Sequence, residues 1–258
     1  MDDIAADAHR ILGHINGGRV LDVATGRGGF IAFLADGLAD YDEIVGIEID
    51  ADRQAAFEAA TARRRGVRFV LGDFLGTPLE LGSFDTVAVS DSLHHFDDPV
   101  PVLRRMLDLV RPGGWVVVAE MYRDGQTDAQ LTEVAVHDWM AEVDPATGGV
   151  HRPTFTRAEI VAMVDALGLE DIRTLDRRNL LVDPHDADAV RTIADVIDRY
   201  AAKAGDHADL ARRAPELRAR LAEVGVHEAT ILVLAGRRSG SKPERSSGYA
   251  AVQGTSLG

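Results

Sequence analysis

The sequence predicts an α/β fold, a three-layer arrangement in which helices cover both faces of a mostly parallel sheet. Three observations predict it. Apolar runs of strand length alternate with longer segments of helical period, as expected when crossover helices join parallel strands. The first such run leads straight into a glycine-rich turn that opens a helix, Val20-Leu21-Asp22-Val23-Ala24-Thr25-Gly26-Arg27-Gly28-Gly29. A chain of 258 residues that is 46% hydrophobic can bury one sizeable core without a second full domain. One domain over residues 1–236 is expected, with its core at 19–121. A helical elaboration at about 125–168 and a helical insertion at about 183–225 are expected to decorate it, and 237–258 to form a disordered Ser- and Gly-rich tail.

In chain order, a helix from about Asp3 to Ile15 ends at Gly17-Gly18, and a strand from Arg19 to Ala24 follows. After the glycine turn come a helix to about Gly37, a strand from Glu43 to Ile49 and a helix starting near Ala51. That helix closes on Arg63-Arg64-Arg65-Gly66, cations and a glycine stop that suit a helix C-terminus. Strands follow at Val67 to Leu71, Phe84 to Ser90 and Gly114 to Met121. A helix from Pro99 to Val110 joins the last two, with Val102, Leu103, Met106, Leu109 and Val110 as its apolar stripe. Helices from Thr127 to Val143 and from a capped start at Thr156 to Gly168 come next. Two final strands are expected at Leu169 to Leu175 and Ala229 to Gly236, separated by two helices striped by Val190, Ile193, Ile197 and Tyr200 and by Leu217, Leu221 and Val224.

Composition narrows the function. The chain has 42 acidic against 28 basic residues, a net charge of -14, so a polyanion is repelled and no nucleic-acid partner is expected. Cysteine is absent, which removes disulfides, thiolate metal sites and cysteine nucleophiles. No apolar window reaches membrane-span length, and Met1-Asp2-Asp3 lacks the basic-then-apolar order of a signal peptide. A cytoplasmic protein without a membrane partner is expected.

Closely spaced glycines after a buried strand let backbone approach a ligand without interference from a Cβ. Ile31 stands where a dinucleotide site wants its third Gly or Ala, which argues against a nicotinamide cofactor. The second strand ends in Glu48, where a carboxylate can accept from both hydroxyls of a ribose; Asp50 better fits a cap on the next helix. In Leu71-Gly72-Asp73-Phe74 a carboxylate beside an aromatic ring can accept from an adenine amino group, or form an ordinary turn.

Taken in order, LDVATGRGG, VGIEID, GDF, FDTVAVSDSLHHFDDP and RPGGWVVVAE resemble the motifs of the class I methyltransferases that use S-adenosylmethionine (SAM). The resemblance covers about Arg19 to Met121. It implies a seven-stranded sheet in the order 3-2-1-4-5-7-6, the last strand antiparallel, and conversion of SAM to S-adenosylhomocysteine (SAH). It also implies that Asp22, Thr25, Gly26 and Gly28 shape the methionine side of the pocket, that Glu48 and Ile49 meet the ribose, and that Asp73 and Phe74 meet the adenine. Ser90 to His95 would flank the sulfonium. Family members commonly join the last two strands tightly, whereas here a helical pair intervenes, which suits a lid or a homodimer element.

Methyl transfer to a small-molecule O, N or S is an in-line displacement, so the protein must align the acceptor and, for a hydroxyl or ammonium, remove a proton. His94 and His95 are expected in a structural or SAM-contact role. His137, four residues after Glu133 on a helix, and His151, after Gly148-Gly149, are candidate bases or acceptor contacts, or else buried hydrogen-bonded histidines. Glu133, His137 and His151 have the chemistry of a metal site, but sulfonium chemistry needs no metal and none is expected. Two other readings remain open: a SAM-binding protein with regulatory or non-methyl chemistry, and a nicotinamide-dependent oxidoreductase.

Overall fold

The computed structural model describes residues 4–240; the first residues of the expected opening helix and most of the expected disordered tail lie outside the described residues. The strands are β1 (Arg19–Val23), β2 (Glu43–Glu48), β3 (Val67–Leu71), β4 (Phe84–Ser90), β5 (Val110–Met121), β6 (Glu170–Arg177) and β7 (Ile231–Arg237). They form one sheet in the order β3-β2-β1-β4-β5-β7-β6. The pairs β2–β3, β1–β2, β1–β4 and β4–β5 are parallel, and β7 runs antiparallel to both β5 and β6. The expected order is the one observed.

Alternate residues of each central strand serve opposite faces, which is why these strands read as continuous apolar runs. On one face Leu21, Val45, Val87 and Val116 pack with Leu103 and Met106 of α4 (Pro99–Leu109). On the other, Val20, Ile44, Ala88 and Val117 pack with Leu12 of α1 (Ile4–Leu12) and Leu34 of α2 (Gly29–Gly37). Between β2 and β3 lies α3 (Gln54–Thr61), whose Phe57 is buried. The carboxyl ends of β1, β2 and β4 share one edge, where a doubly wound sheet places its ligand.

Beyond β5 come α5 (Asp128–Ala146) and α6 (Arg157–Asp165), each opened by a capping box, Thr127 with Gln130 and Thr156 with Glu159. Between β6 and β7 the insertion forms α7 (Ala187–Ala204), the short α8 (Ala208–Ala211) and α9 (Arg213–Val224). Its expected stripes, except Val224, pack against Val136, Trp139 and Val143 of α5, making a small helical core apart from the sheet. The indole N–H of Trp139 donates to the Leu210 carbonyl at 3.0 Å. Among the described residues no helix is long and apolar enough to cross a membrane.

Several boundaries move. β5 begins at Val110 rather than Gly114 because Val110 pairs with Phe84 across a register shift. α5 runs three residues past the expected end, to Ala146, with Pro145 in its last turn. α6 stops at Asp165, and Gly168 at φ 64° closes the following turns. β7 starts two residues later than expected because Ala229 and Thr230 give their N–H groups to side chains rather than to the sheet.

Trp139 is fully buried at the centre of the helical core. Trp139→Ala is expected to destabilise the protein by about 3–5 kcal/mol, the usual range for emptying a buried aromatic site. Chemical denaturation of both proteins checks it.

Candidate active site

The turn after β1 is shaped by backbone that side chains resist. Gly26 and Gly28 have φ of 55° and 79°, and a Cβ on Gly28 would come within 3.0 Å of the Phe57 ring. Ala24 adopts φ 52° without the freedom of glycine, strain of the kind held at functional sites. The turn is tied to β2 through Glu48, whose Oε2 accepts from Gly26 N at 2.8 Å. Its Oε1 accepts from Ile49 N at 2.9 Å and Asp50 N at 3.0 Å. A carboxylate offers about four lone-pair sites, so these three bonds fix Glu48 while leaving it capacity for one further donor, on Oε2. Ile49 beside it is 70% exposed, an apolar side chain left uncovered at the same edge. Asp50 caps the next turn through Asp52 N at 2.9 Å.

Asp22 is buried; its Oδ2 accepts from Thr25 Oγ1 at 2.5 Å, while its buried Oδ1 finds no partner among the described residues. Burial pushes this carboxyl up to about 7; the Thr25 bond opposes that and the charge of Glu48 adds to it. A cleft of about 240 Å³ opens here, lined by Asp22, Thr25 and Gly26 and, from the end of β4, by Ser90, Asp91 and Ser92.

The expected adenine pair separates. Asp73 is exposed in a tight turn, its Oδ1 accepting from Leu75 N at 3.0 Å. Phe74, by contrast, is only 4% exposed and packs in the sheet core with the Arg105 guanidinium over its ring. An exposed aromatic wall is therefore not what this residue supplies. The uncovered apolar side chains at this end of the sheet are Ile49, Leu71 and Leu75, which a search for aromatics passes over.

Beyond Ser92 the chain makes one 3-10 turn, Leu93–His95, and four histidines converge. His94 lies in ring contact with His95 at 4.3 Å, His137 at 4.6 Å and His151 at 5.4 Å between centroids. His151 reaches His95 at 4.4 Å and His137 at 4.7 Å. The two candidate bases and the histidine pair after β4 thus form one group. Sequence spacing placed His137 beside Glu133, but the Glu133 carboxylate accepts from Ala229 N ahead of β7.

Two carboxylates orient the group. Glu120, fully buried on β5, is hydrogen-bonded to His94 Nδ1. Asp144 on α5 holds His151 Nδ1 at 2.6 Å and is itself held by Lys203 Nζ at 2.5 Å and Tyr200 OH at 3.1 Å, both on α7. Arg152 N donates to the His94 carbonyl at 2.8 Å, pinning the His151 loop to the 3-10 turn. Burial, reinforced by neighbouring imidazoles, drives His94 and His95 down to about 3 and His137 down to about 2. These three rings are neutral near pH 7.

Burial also pushes Asp22, Asp91 and Glu133 up to about 7 and Glu120 up to about 8. The folded state holds these protons more tightly than the unfolded chain. Their stabilisation is therefore complete below the ordinary values of 3.8 and 4.5 and is lost as pH rises through 7 to 8. The depressed histidines act oppositely, losing stability only as pH falls below 6.5. Tm is therefore expected to fall between pH 6.5 and about 8, and Glu133→Gln to flatten that fall, in a calorimetric pH series.

Comparison with known proteins bears on this architecture. A family model described as a methyltransferase domain matches residues 21–118. The demethylmenaquinone methyltransferase of Beutenbergia cavernae is 40% identical over 110 residues, which cover 42% of this chain and 43% of that protein. The chain thus spans less than half the length of the curated relatives it matches. Among solved structures, phosphoethanolamine N-methyltransferase 2 of Haemonchus contortus, in complex with SAM, matches with a TM-score of 0.55 at 17% identity over 92% of this chain and 52% of that one. The [4+2]-cyclase SpnF matches with a TM-score of 0.54 at 19% identity over 92% of this chain and 80% of that one. At such identities the likeness to both structures is one of fold. The matched segment carries the glycine turn, Glu48, Asp73 and the histidine turn in one order on one sheet edge, and residues 21–118 are those of a methyltransferase domain.

Proposed function

We propose that the chain is an enzyme that binds SAM at the carboxyl edge of β1 and β2 and transfers its methyl group to O, N or S of a small molecule. The observation that carries this reading is the Gly26–Glu48–Asp22 arrangement. It sets an oriented carboxylate with an acceptor site to spare beside a cleft lined by an open glycine position and by Asp22, whose buried Oδ1 finds no partner among the described residues. SAM supplies an electrophilic methyl group whose bonding pair stays on sulfur as the acceptor's lone pair takes the carbon.

The chain's own residues do the rest. Glu48 would accept from a ribose hydroxyl at its remaining site, exposed Ile49 would cover one face of the base, and Asp22 would receive the cationic amino group at its Oδ1. Thr25, Gly26 and Gly28 shape the turn around the methionine portion, and Ser90 and Ser92 close the cleft from β4. The acceptor would lie beyond Ser92, against the histidine group, with His137 and His151 contacting it. A small acceptor is consistent with relatives named for demethylmenaquinone and with a net charge of -14 that repels nucleic acid. Relatives of whose length less than half is matched do not carry their acceptor over.

Calorimetric titration with SAM, SAH and NAD in parallel tests the cofactor: the first two are expected to bind and the third not. Binding of NAD alone would reject the reading. Glu48→Ala is expected to weaken SAM by roughly 1–3 kcal/mol, the scale of lost hydrogen bonds to a charged group. Because Asp22 ionises near 7, affinity for SAM should rise as pH passes upward through that value, and Asp22→Asn should abolish the dependence. His137→Ala and His151→Ala are expected to lower turnover of a productive acceptor with SAM affinity nearly intact.

A further inference from the structure

Displacement at a sulfonium does not need three imidazoles converging on one point. Side-chain nitrogens of His94, His137 and His151 all lie within 4.8 Å of one another. His137 Nδ1 and His151 Nε2 are buried, and neither finds a hydrogen-bond partner among the described residues. An unpartnered buried polar atom is costly, and two aimed into one cluster call for a common partner. His94 and His151 each engage a carboxylate through Nδ1, Glu120 and Asp144 respectively. That is the arrangement by which proteins fix metal-ligating histidines: Nδ1–H donates to a carboxylate and Nε2 keeps its lone pair for the ion.

We propose that His94, His137 and His151 bind one divalent transition-metal ion of the zinc or iron type. Three imidazoles suit these ions, and a three-histidine set leaves a fourth position open for water or an oxygen ligand. With metal–nitrogen bonds of about 2.0–2.1 Å, nitrogens on a tetrahedral ion stand roughly 3.3 Å apart, so the rings close by about 1.5 Å through side-chain rotation. The three ligands come from the 3-10 turn after β4, from α5 and from the loop after α5, so the ion would join elements distant in sequence. Glu133 takes no part, being engaged at Ala229. The metal site stands on ring geometry alone. That its open position receives an acceptor oxygen rests on the methyltransferase reading above.

Protein prepared without a histidine tag, stripped with a chelator and titrated with Co²⁺ tests the site, with no SAM present. One equivalent is expected to bind per chain, giving the visible absorption of nitrogen-ligated four- or five-coordinate Co²⁺, which Zn²⁺ then abolishes. His137→Ala and His151→Ala should each weaken binding more than about tenfold, and Asp144→Asn by about 10–100-fold, whereas exposed His185→Ala should not. Absence of a stoichiometric complex in the wild-type protein, or a spectrum like that of the hydrated ion, overturns the proposal without relying on any variant. Equal affinity in a folded His137→Ala/His151→Ala double variant overturns it too. SAH binding measured on the same preparations separates the two claims: SAH bound without Co²⁺ rejects the metal site alone, and Co²⁺ bound without SAH supports the site while rejecting the cofactor reading.

Discussion

Glu120 is a carboxyl group with no exposed surface, placed where β5 leaves the sheet. Its Oε2 accepts from Ser92 N at 3.2 Å and Leu93 N at 3.1 Å, and its Oε1 holds His94. Such a group is tolerable in the core only while its hydrogen bonds are made, so the burial cost enforces the geometry around it. It locks the exit from β4 against the end of β5, sets Ser92 on the cleft and turns His94 toward the other histidines. Asp91, held at φ 41° between Ala119 O and Met121 N, shares this seam and stores the strain that the seam confines. The glycine-turn cleft and the histidine group are thereby two sides of one hydrogen-bonded joint.

The sheet was legible because its determinants are local. Each of the first five strands is an apolar run bounded by turn residues, and Thr127, Thr156 and Asp50 announce helix starts by chemistry that acts within three residues. The strand order came from the resemblance rather than from periodicity. Boundaries moved where pairing partners decided them, as at Val110 opposite Phe84. The site was legible by the same rule. Glu48 and Asp22 could be placed because they sit at fixed offsets from a strand end. Phe74 misled because the residue after a turn can face core or solvent, and composition does not say which.

The histidine group could not be assembled from sequence. His94, His137 and His151 are brought together by the β4–β5 seam, the α5 axis and the bond from Arg152 N to His94 O, none of which leaves a periodic trace. Residues 21–118, which match the methyltransferase family model, contain His94 and His95 and stop short of the rest. Glu120, His137, Asp144 and His151 all follow that segment, as do the α7 groups behind them. The segment matched by the family model builds the glycine-turn edge, and the segment after it builds most of the histidine group.

That group has an unusual support. α7, inserted between the last two strands, reaches the histidine loop through two polar tips, Lys203 and Tyr200, which meet on Asp144. Its other contacts include the ion pair of Asp198 with Arg218 on α9 and apolar packing in the helical core around Trp139. The insertion is in effect a buttress built onto a finished sheet. Helices of different length or tilt could be exchanged at that point, given a cation and a hydroxyl at the Asp144 end, and the masonry behind His151 would shift while the foundation that holds Glu48 stayed untouched.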